Sequence, residues 1–212
     1  MRVLDCGAPA DEGGLSDARL REVAEELRDG KLVVYPTETV YGIGANIYDE
    51  NAVKKVYVAK NRPFDMPLSV AVSDVAMMEE IAFIDDNAQR LVDRFLPGPL
   101  TIIIKKRPGV PDIVTAMSQK VGIRMPDHPM ALRLAREFGP IVATSANLHS
   151  KPDAVTAGEA VKDLGDHVST YLDNGPCQLG EPSTIVWLMD GEVEIIRQGA
   201  ISREEIEAVL NE

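Results

Sequence analysis

Short apolar runs alternate with stretches of helical periodicity along most of this chain, and that alternation restricts it to an α/β architecture. Leu32-Val33-Val34-Tyr35 reads as a buried strand that Pro36 ends. Leu68 to Val72, Leu100 to Ile104, Val121 to Met125, Ile141 to Thr144, Ile185 to Leu188 and Val193 to Ile196 read as further strands. Ser16 caps a helix that carries Leu20, Val23, Ala24 and Leu27 on one face and stops at Gly30. Helical spacing recurs at 50–59, where Val53, Val56 and Tyr57 fall in register, and at 74–81, 86–95 and 129–138. Thr156-x-x-Glu159 and Ser202-x-x-Glu205 have the form of capping boxes that open two later helices. Asp190-Gly191 has the form of a hairpin turn. Met77-Met78, Phe83 and Phe95 read as core.

The chain has 212 residues, of which 45% are apolar and 26% charged, enough to fill one α/β core and too few for two. Without repeats or linkers, the expectation is one domain over residues 1–212, built as a twisted mixed sheet with surrounding helices. No apolar run approaches the ~20 residues of a membrane span. Met1-Arg2-Val3-Leu4-Asp5 lacks the apolar stretch of a signal peptide, and Cys6 and Cys177 stand far apart. A reducing, cytoplasmic address is expected. The net charge of −12 repels nucleic acid at long range. Acid is concentrated between Asp11 and Asp29, whereas Lys105-Lys106-Arg107, Lys120, Arg124, Arg133 and Arg136 enrich the middle in cations. A basic pocket inside an acidic shell suits a small anion such as a nucleotide.

Familiar nucleotide and hydrolase motifs are missing. There is no Gly-x-x-x-x-Gly-Lys-Ser/Thr loop and no Gly-x-Ser-x-Gly elbow, and Gly42-Ile43-Gly44 lacks the third glycine of a dinucleotide fingerprint. His128, His149 and His167 form no His-x-x-x-His pair, so no metal site is expected.

Three segments carry chemistry instead. Tyr35-Pro36-Thr37-Glu38-Thr39-Val40-Tyr41-Gly42-Ile43-Gly44 runs from a strand into a hydroxyl- and glycine-containing stretch. There, backbone amides can approach a ligand, or Thr37 and Thr39 can simply satisfy a local turn. Lys60-Asn61-Arg62-Pro63 places two cations just past a helix end, where they can converge on a phosphate or carboxylate or can complement the helix dipole. Thr144-Ser145-Ala146-Asn147 ends an apolar strand, where ligands gather in open α/β sheets or where polar side chains stitch a turn. Arg124 closes another strand, free to face a site or to pair with Asp127.

Taken together these segments resemble the YrdC-type family of threonylcarbamoyl-AMP synthases. The matching elements are Pro-Thr-Glu-Thr-Val-Tyr-Gly at 36–42, Lys-x-Arg-Pro at 60–63 and Pro-Leu at 67–68. Pro-Gly-Pro-Leu-Thr at 97–101, Arg-x-Pro-x-His-Pro at 124–129, Ser-Ala-Asn at 145–147 and Pro-Ser-Thr-Ile at 182–185 follow in the family's order. The motif-bearing core spans about residues 20–200. Ala71 stands where many relatives have histidine, and His149-Ser150 where many have Ser-Gly.

The resemblance implies an α/β domain with an open basic cavity that uses ATP, with Mg²⁺, L-threonine and bicarbonate. Threonine's amine takes up bicarbonate, and the resulting carbamate attacks the ATP α-phosphorus and expels pyrophosphate. A tRNA-modifying transferase complex receives the adenylate. It further implies catalytic roles for Lys60, Arg62, Ser145 and Asn147. Thr37, Arg124 and Ser183 correspond to threonine contacts. Lys60, Arg62, Thr115, Ser145, Asn147 and Arg197 correspond to nucleotide contacts. The basic cavity also invites a second reading, a non-enzymatic module that contacts tRNA or double-stranded RNA.

Overall fold

Val33, Val34 and Tyr35 are buried without a solvent-facing alternate, which requires cover on both faces of the strand they form. A computed structural model of the chain provides that cover, and it describes residues 1–7, 15–189 and 192–211. Among the described residues ten strands form one mixed sheet: β1 (Arg2–Asp5), β2 (Val33–Tyr35), β3 (Gly42–Gly44), β4 (Ser69–Ala71), β5 (Leu100–Lys105), β6 (Lys120–Arg124), β7 (Ile141–Ser145), β8 (Thr170–Asp173), β9 (Thr184–Met189) and β10 (Glu192–Arg197). Their spatial order is β1-β8-β2-β3-β7-β4-β6-β5-β9-β10. The β1–β8, β8–β2, β4–β6 and β5–β9 pairs are parallel and the others antiparallel.

Seven α-helices among the described residues accompany the sheet: α1 (Asp17–Arg28), α2 (Glu50–Lys60), α3 (Val75–Ile81), α4 (Asp86–Phe95), α5 (Pro129–Phe138), α6 (Ala157–Leu164) and α7 (Arg203–Leu210). α1 is capped by Ser16, whose side chain accepts from the Arg19 amide, and buries Leu20, Val23, Ala24 and Leu27. Both expected capping boxes are formed, Thr156 with Glu159 and Ser202 with Glu205. Two apolar clusters fill the fold. One joins Leu20, Val23 and Leu27 of α1 and Met130, Ala131 and Leu134 of α5 to Val33, Tyr35 and Ile141 of the sheet. The larger one gathers residues of α2, α3, α4, α6 and α7 with Val34, Ile43, Val70, Ile102, Ile123 and Val142. No helix among the described residues is long and apolar enough to cross a membrane.

Several expectations need correction. Phe83 is not core: it is 44% exposed, with the Arg107 guanidinium 4.4 Å and the Lys105 amine 5.6 Å from its ring centre. Gly42-Ile43-Gly44, read as part of a ligand-approach loop, is a strand. The Tyr35 ring lies so close that a Cβ on Gly42 would come 2.9 Å from it. Those glycines therefore make room for an aromatic side chain, and the partial dinucleotide fingerprint is fortuitous. β1 and β8 carry no clear sequence signal. The Asp190-Gly191 turn, and Asp11 within the acidic stretch, lie outside the described residues, although β9 and β10 pair antiparallel on either side of that turn.

Candidate functional site

The burial pattern of β7 shows where the sheet opens: Ile141 and Val142 are buried, whereas Ala143, Thr144 and Ser145 are partly exposed. They floor an open cleft that encloses about 840 Å³ of empty space, mouth included. Tyr35, Thr37 and Val40 to Gly42 wall one side. Ser69, Thr101, Arg124 and Pro126 come from β4, β5 and the end of β6, and Ser183, Ile185 and Arg197 from β9 and β10. Arg62, Pro67 and Asp153 complete the rim from two loops. The lining thus holds three guanidiniums and one carboxylate, with no histidine and no cysteine.

The three arginines are held differently. Arg62 donates from Nε to Met66 O (3.3 Å) and from Nη2 to Pro67 O (2.9 Å), folding back on its own proline-stiffened loop. Arg197 donates to Ser183 O from Nε (3.2 Å) and Nη2 (2.8 Å), and from Nη2 to Ser183 Oγ (3.3 Å). Ser183 Oγ in turn lies 2.9 Å from Thr101 Oγ1, so a chain of polar contacts ties β10, β9 and β5 together. Arg124 pairs not with Asp127 but with Glu38, Nη2 standing 2.7 Å from Oε1. The pair is buried, and its angles do not make a hydrogen bond: both Glu38 oxygens and Arg124 Nε and Nη2 lack a hydrogen-bond partner. The short distance decides its character, an ion pair held by charge.

Lys60 stands behind the cavity wall. It is 2% exposed, and its Nζ donates to Ser145 O, to Asn147 O (2.7 Å) and to Asn147 Oδ1 (3.3 Å). Burial, reinforced by the Arg62 charge, lowers its pKa from 10.5 to about 8. Asn61, in the left-handed region at φ 50°, closes the C-terminus of α2, and the Lys60 amine is bonded to the carbonyls of Ser145 and Asn147 rather than to those of its own helix. Asn147 is also inside, 4% exposed, and donates from Nδ2 to Lys151 O (2.7 Å). Of the Ser-x-Asn pair only Ser145 reaches the cavity. Thr37 lines it as well, yet its Oγ1 donates to Val40 O (2.6 Å) and accepts from the amides of Thr39 and Val40, a closed local turn. Thr115 does not line the cavity; its Oγ1 accepts from Lys106 Nζ (3.0 Å) and donates to Ser118 O (2.8 Å).

The sequence-predicted residues Arg62, Ser145, Thr37, Arg124, Ser183 and Arg197 therefore meet in one cleft, and Lys60 and Asn147 support its floor from behind. Sequence reasoning missed Asp153, an isolated loop carboxylate with no pattern to mark it, and Glu38, which sat unremarked inside a quoted motif. No group of three or more His, Cys, Asp or Glu residues among the described residues could hold a metal ion. Cys177 lies outside the cleft, and burial raises its thiol to about 11, which leaves it protonated and poorly nucleophilic at neutral pH. Such a site can bind and align anions. Its serine and threonine hydroxyls have no histidine among the lining residues to act as a base.

Comparison with known proteins places this geometry. The family Sua5_yciO_yrdC, described as "Telomere recombination", matches residues 25–199. The chain belongs to this family. The threonylcarbamoyl-AMP synthase of Bacillus subtilis is 42% identical over 203 residues, covering 94% of this chain and 59% of that protein. A crystal structure of Pyrococcus abyssi Sua5 complexed with L-threonine superposes with a TM-score of 0.93 at 36% identity, covering 99% of this chain and 61% of that one. Escherichia coli YciO shares the fold, with a TM-score of 0.83 at 24% identity over 96% of this chain and 97% of its own. The chain thus spans about three fifths of the Bacillus and Pyrococcus relatives and nearly all of YciO. Sua5_yciO_yrdC membership accounts for the mixed sheet and its surrounding helices.

Proposed function

We propose that this chain, acting as one domain, is an L-threonylcarbamoyladenylate synthase, a nucleotidyltransferase that uses ATP, L-threonine and bicarbonate and supplies tRNA modification. The observation that carries the reading is the convergence of Arg62, Arg124 and Arg197 on one cleft. The reaction brings together a carboxylate, a carbamate and a triphosphate, so its chief demands are charge neutralisation and alignment. Relatives named threonylcarbamoyl-AMP synthase, and one crystallised with L-threonine, support the same choice of substrates.

In this reading threonine's amine and bicarbonate give a carbamate and water. A carbamate oxygen then bonds to the α-phosphorus as the bond from that phosphorus to the bridging oxygen breaks, and pyrophosphate leaves with the electron pair. Arg124 takes the threonine carboxylate, with Thr37 and Ser183 alongside. Arg62 and Arg197 take the triphosphate, and Ser145 orients the reacting groups from the floor. Lys60 and Asn147 act through that floor. ATP would enter as its Mg²⁺ complex, the ion offsetting triphosphate charge, and Asp153 would be the cleft carboxylate available to it. The adenylate passes to a tRNA-modifying transferase complex.

Pyrophosphate release tests this directly. It should require threonine and bicarbonate together and should stop in excess chelator. Equal turnover with serine, with glycine or with no amino acid would remove threonine from the reading.

A further inference from the structure

Three arginines line the cleft, and the protein treats one of them unlike the others. Arg62 and Arg197 spend donors on backbone carbonyls of Met66, Pro67 and Ser183. Arg124 Nε and Nη2 are buried without a hydrogen-bond acceptor, and among the described residues its close partner of opposite charge is Glu38. Glu38 itself is 5% exposed, a costly place for an ionised carboxylate unless a charge lies beside it.

The carboxylate is placed with care. Its backbone is pinned on both sides, since Leu179 N donates to Glu38 O (2.8 Å) and Gly180 N to Thr39 O (3.1 Å). The Thr37 turn fixes the residue before it. Glu38 does not line the cleft. It lines a second, smaller cavity with Pro36, His128 and Cys177, so it meets Arg124 from outside the cleft. A guanidinium backed by a fixed carboxylate presents donors in a plane but little net charge.

We propose that Glu38 is a positioning and specificity-determining residue. It holds the Arg124 plane so that Nη1, the nitrogen not buried against Glu38, meets a single carboxylate, and by neutralising Arg124 it leaves the polyphosphate to Arg62 and Arg197. This rests on the reading above, in which Arg124 receives the threonine carboxylate. A charge-assisted N–H···O bond is directional, so orientation matters as much as charge.

The test is the split between the two Michaelis constants in Glu38→Gln, which keeps the shape and removes the charge. The threonine KM should rise roughly tenfold or more, the loss of a charge-assisted contact, while the ATP KM does not rise. In an Arg124→Ala background, Glu38→Gln should add no further rise. Lower KM values for both substrates would mean that Glu38 merely tempers the cleft's charge, and a lower melting temperature with unchanged KM would make it structural. Either result overturns the proposal. So does a normal threonine KM in Arg124→Ala. If Glu38→Gln does not fold, Glu38→Asp, which keeps the charge but retracts it, carries the same comparison: a raised threonine KM supports positioning and an unchanged one overturns it. Failure of the parent reading looks different, because wild-type protein would then release no threonine-dependent pyrophosphate.

Discussion

Lys60 is asked to stay charged in a place that disfavours charge. Its ammonium bridges the carbonyls of Ser145 and Asn147, yet burial lowers its pKa from 10.5 to about 8. The folded value lies below the unfolded one, so between those limits the unfolded chain binds more protons and stability rises with pH. Over the same interval the folded protein loses the ammonium, and a neutral amine has only two N–H donors for three acceptors. Wild-type turnover should therefore fall relative to Lys60→Met with a midpoint near pH 8, while the melting temperature does not fall. A constant ratio of the two turnover rates across that midpoint would show that the proton on Lys60 is irrelevant to the floor. Neighbouring Ser145 and Asn147 should separate just as clearly. Ser145→Ala removes a hydroxyl that faces the cleft, and turnover at saturating substrates should drop roughly tenfold with little change in melting temperature. Asn147→Ala removes the bond to Lys151 and one acceptor for Lys60, costing about 1–3 kcal/mol of stability, with turnover per folded molecule largely kept. Paired melting curves and saturating rates distinguish the two, and a catalytic loss confined to Asn147→Ala would reverse the assignment.

At the scale of elements, small residues decide where strands can meet. Gly199 follows β10, and a Cβ there would collide with Pro182 O and sit 2.7 Å from the Ser183 carbonyl carbon. That segment also supplies Thr184 Oγ1, which accepts from Gly199 N (2.9 Å) and Ile201 N (3.0 Å) and donates to Ile201 O (2.6 Å). Gly199→Ala should push Ser183 and Arg197 apart, costing about 1–3 kcal/mol and raising the KM for ATP; an unchanged KM would detach Arg197 from the nucleotide. The same closeness explains what could be read from the sequence. Helices with a strong apolar face and a cap, such as α1 and α6, announce themselves locally, and so do β5 and β7 with their branched runs. β3 does not, because two of its three residues are glycines required by the Tyr35 ring. β1 alternates burial over four residues and finds its partner β8 far along the chain, so its stability comes from a pairing no local pattern contains. In the site, motif residues were legible as a set, but which of them face the cleft was not. Lys60 and Asn147 read like ligand contacts and turn inward, because a side chain's direction depends on which strand ends beside it.

Across the whole molecule, the cleft's lining comes from strands on both sides of β7, from β2 and β3 to β9 and β10. A ligand there ties the two flanks of the sheet, and binding to the folded state alone stabilises it by about 2.7 kcal/mol at a hundredfold excess over Kd. For a chain of this size each kcal/mol shifts the melting temperature by roughly 2–4 °C, so saturating Mg²⁺–ATP should raise it by roughly 5–10 °C. Arg62→Ala and Arg197→Ala should lose that shift while keeping a shift with threonine, and Arg124→Ala should do the reverse. The net charge of −12 sets the last contrast. Nucleic acid approaching the outer surface meets repulsion, whereas a small anion inside the cleft meets three guanidiniums at close range, where screening is weak. Duplex RNA should accordingly give no melting shift in 0.15 M salt, roughly the physiological ionic strength. An RNA-binding module predicts the opposite pattern: an RNA-induced shift that collapses steeply as salt rises, with ATP and threonine leaving the melting curve untouched. One plate of melting curves across ligands and salt separates the two, and an RNA shift without a nucleotide shift would end the enzymatic reading.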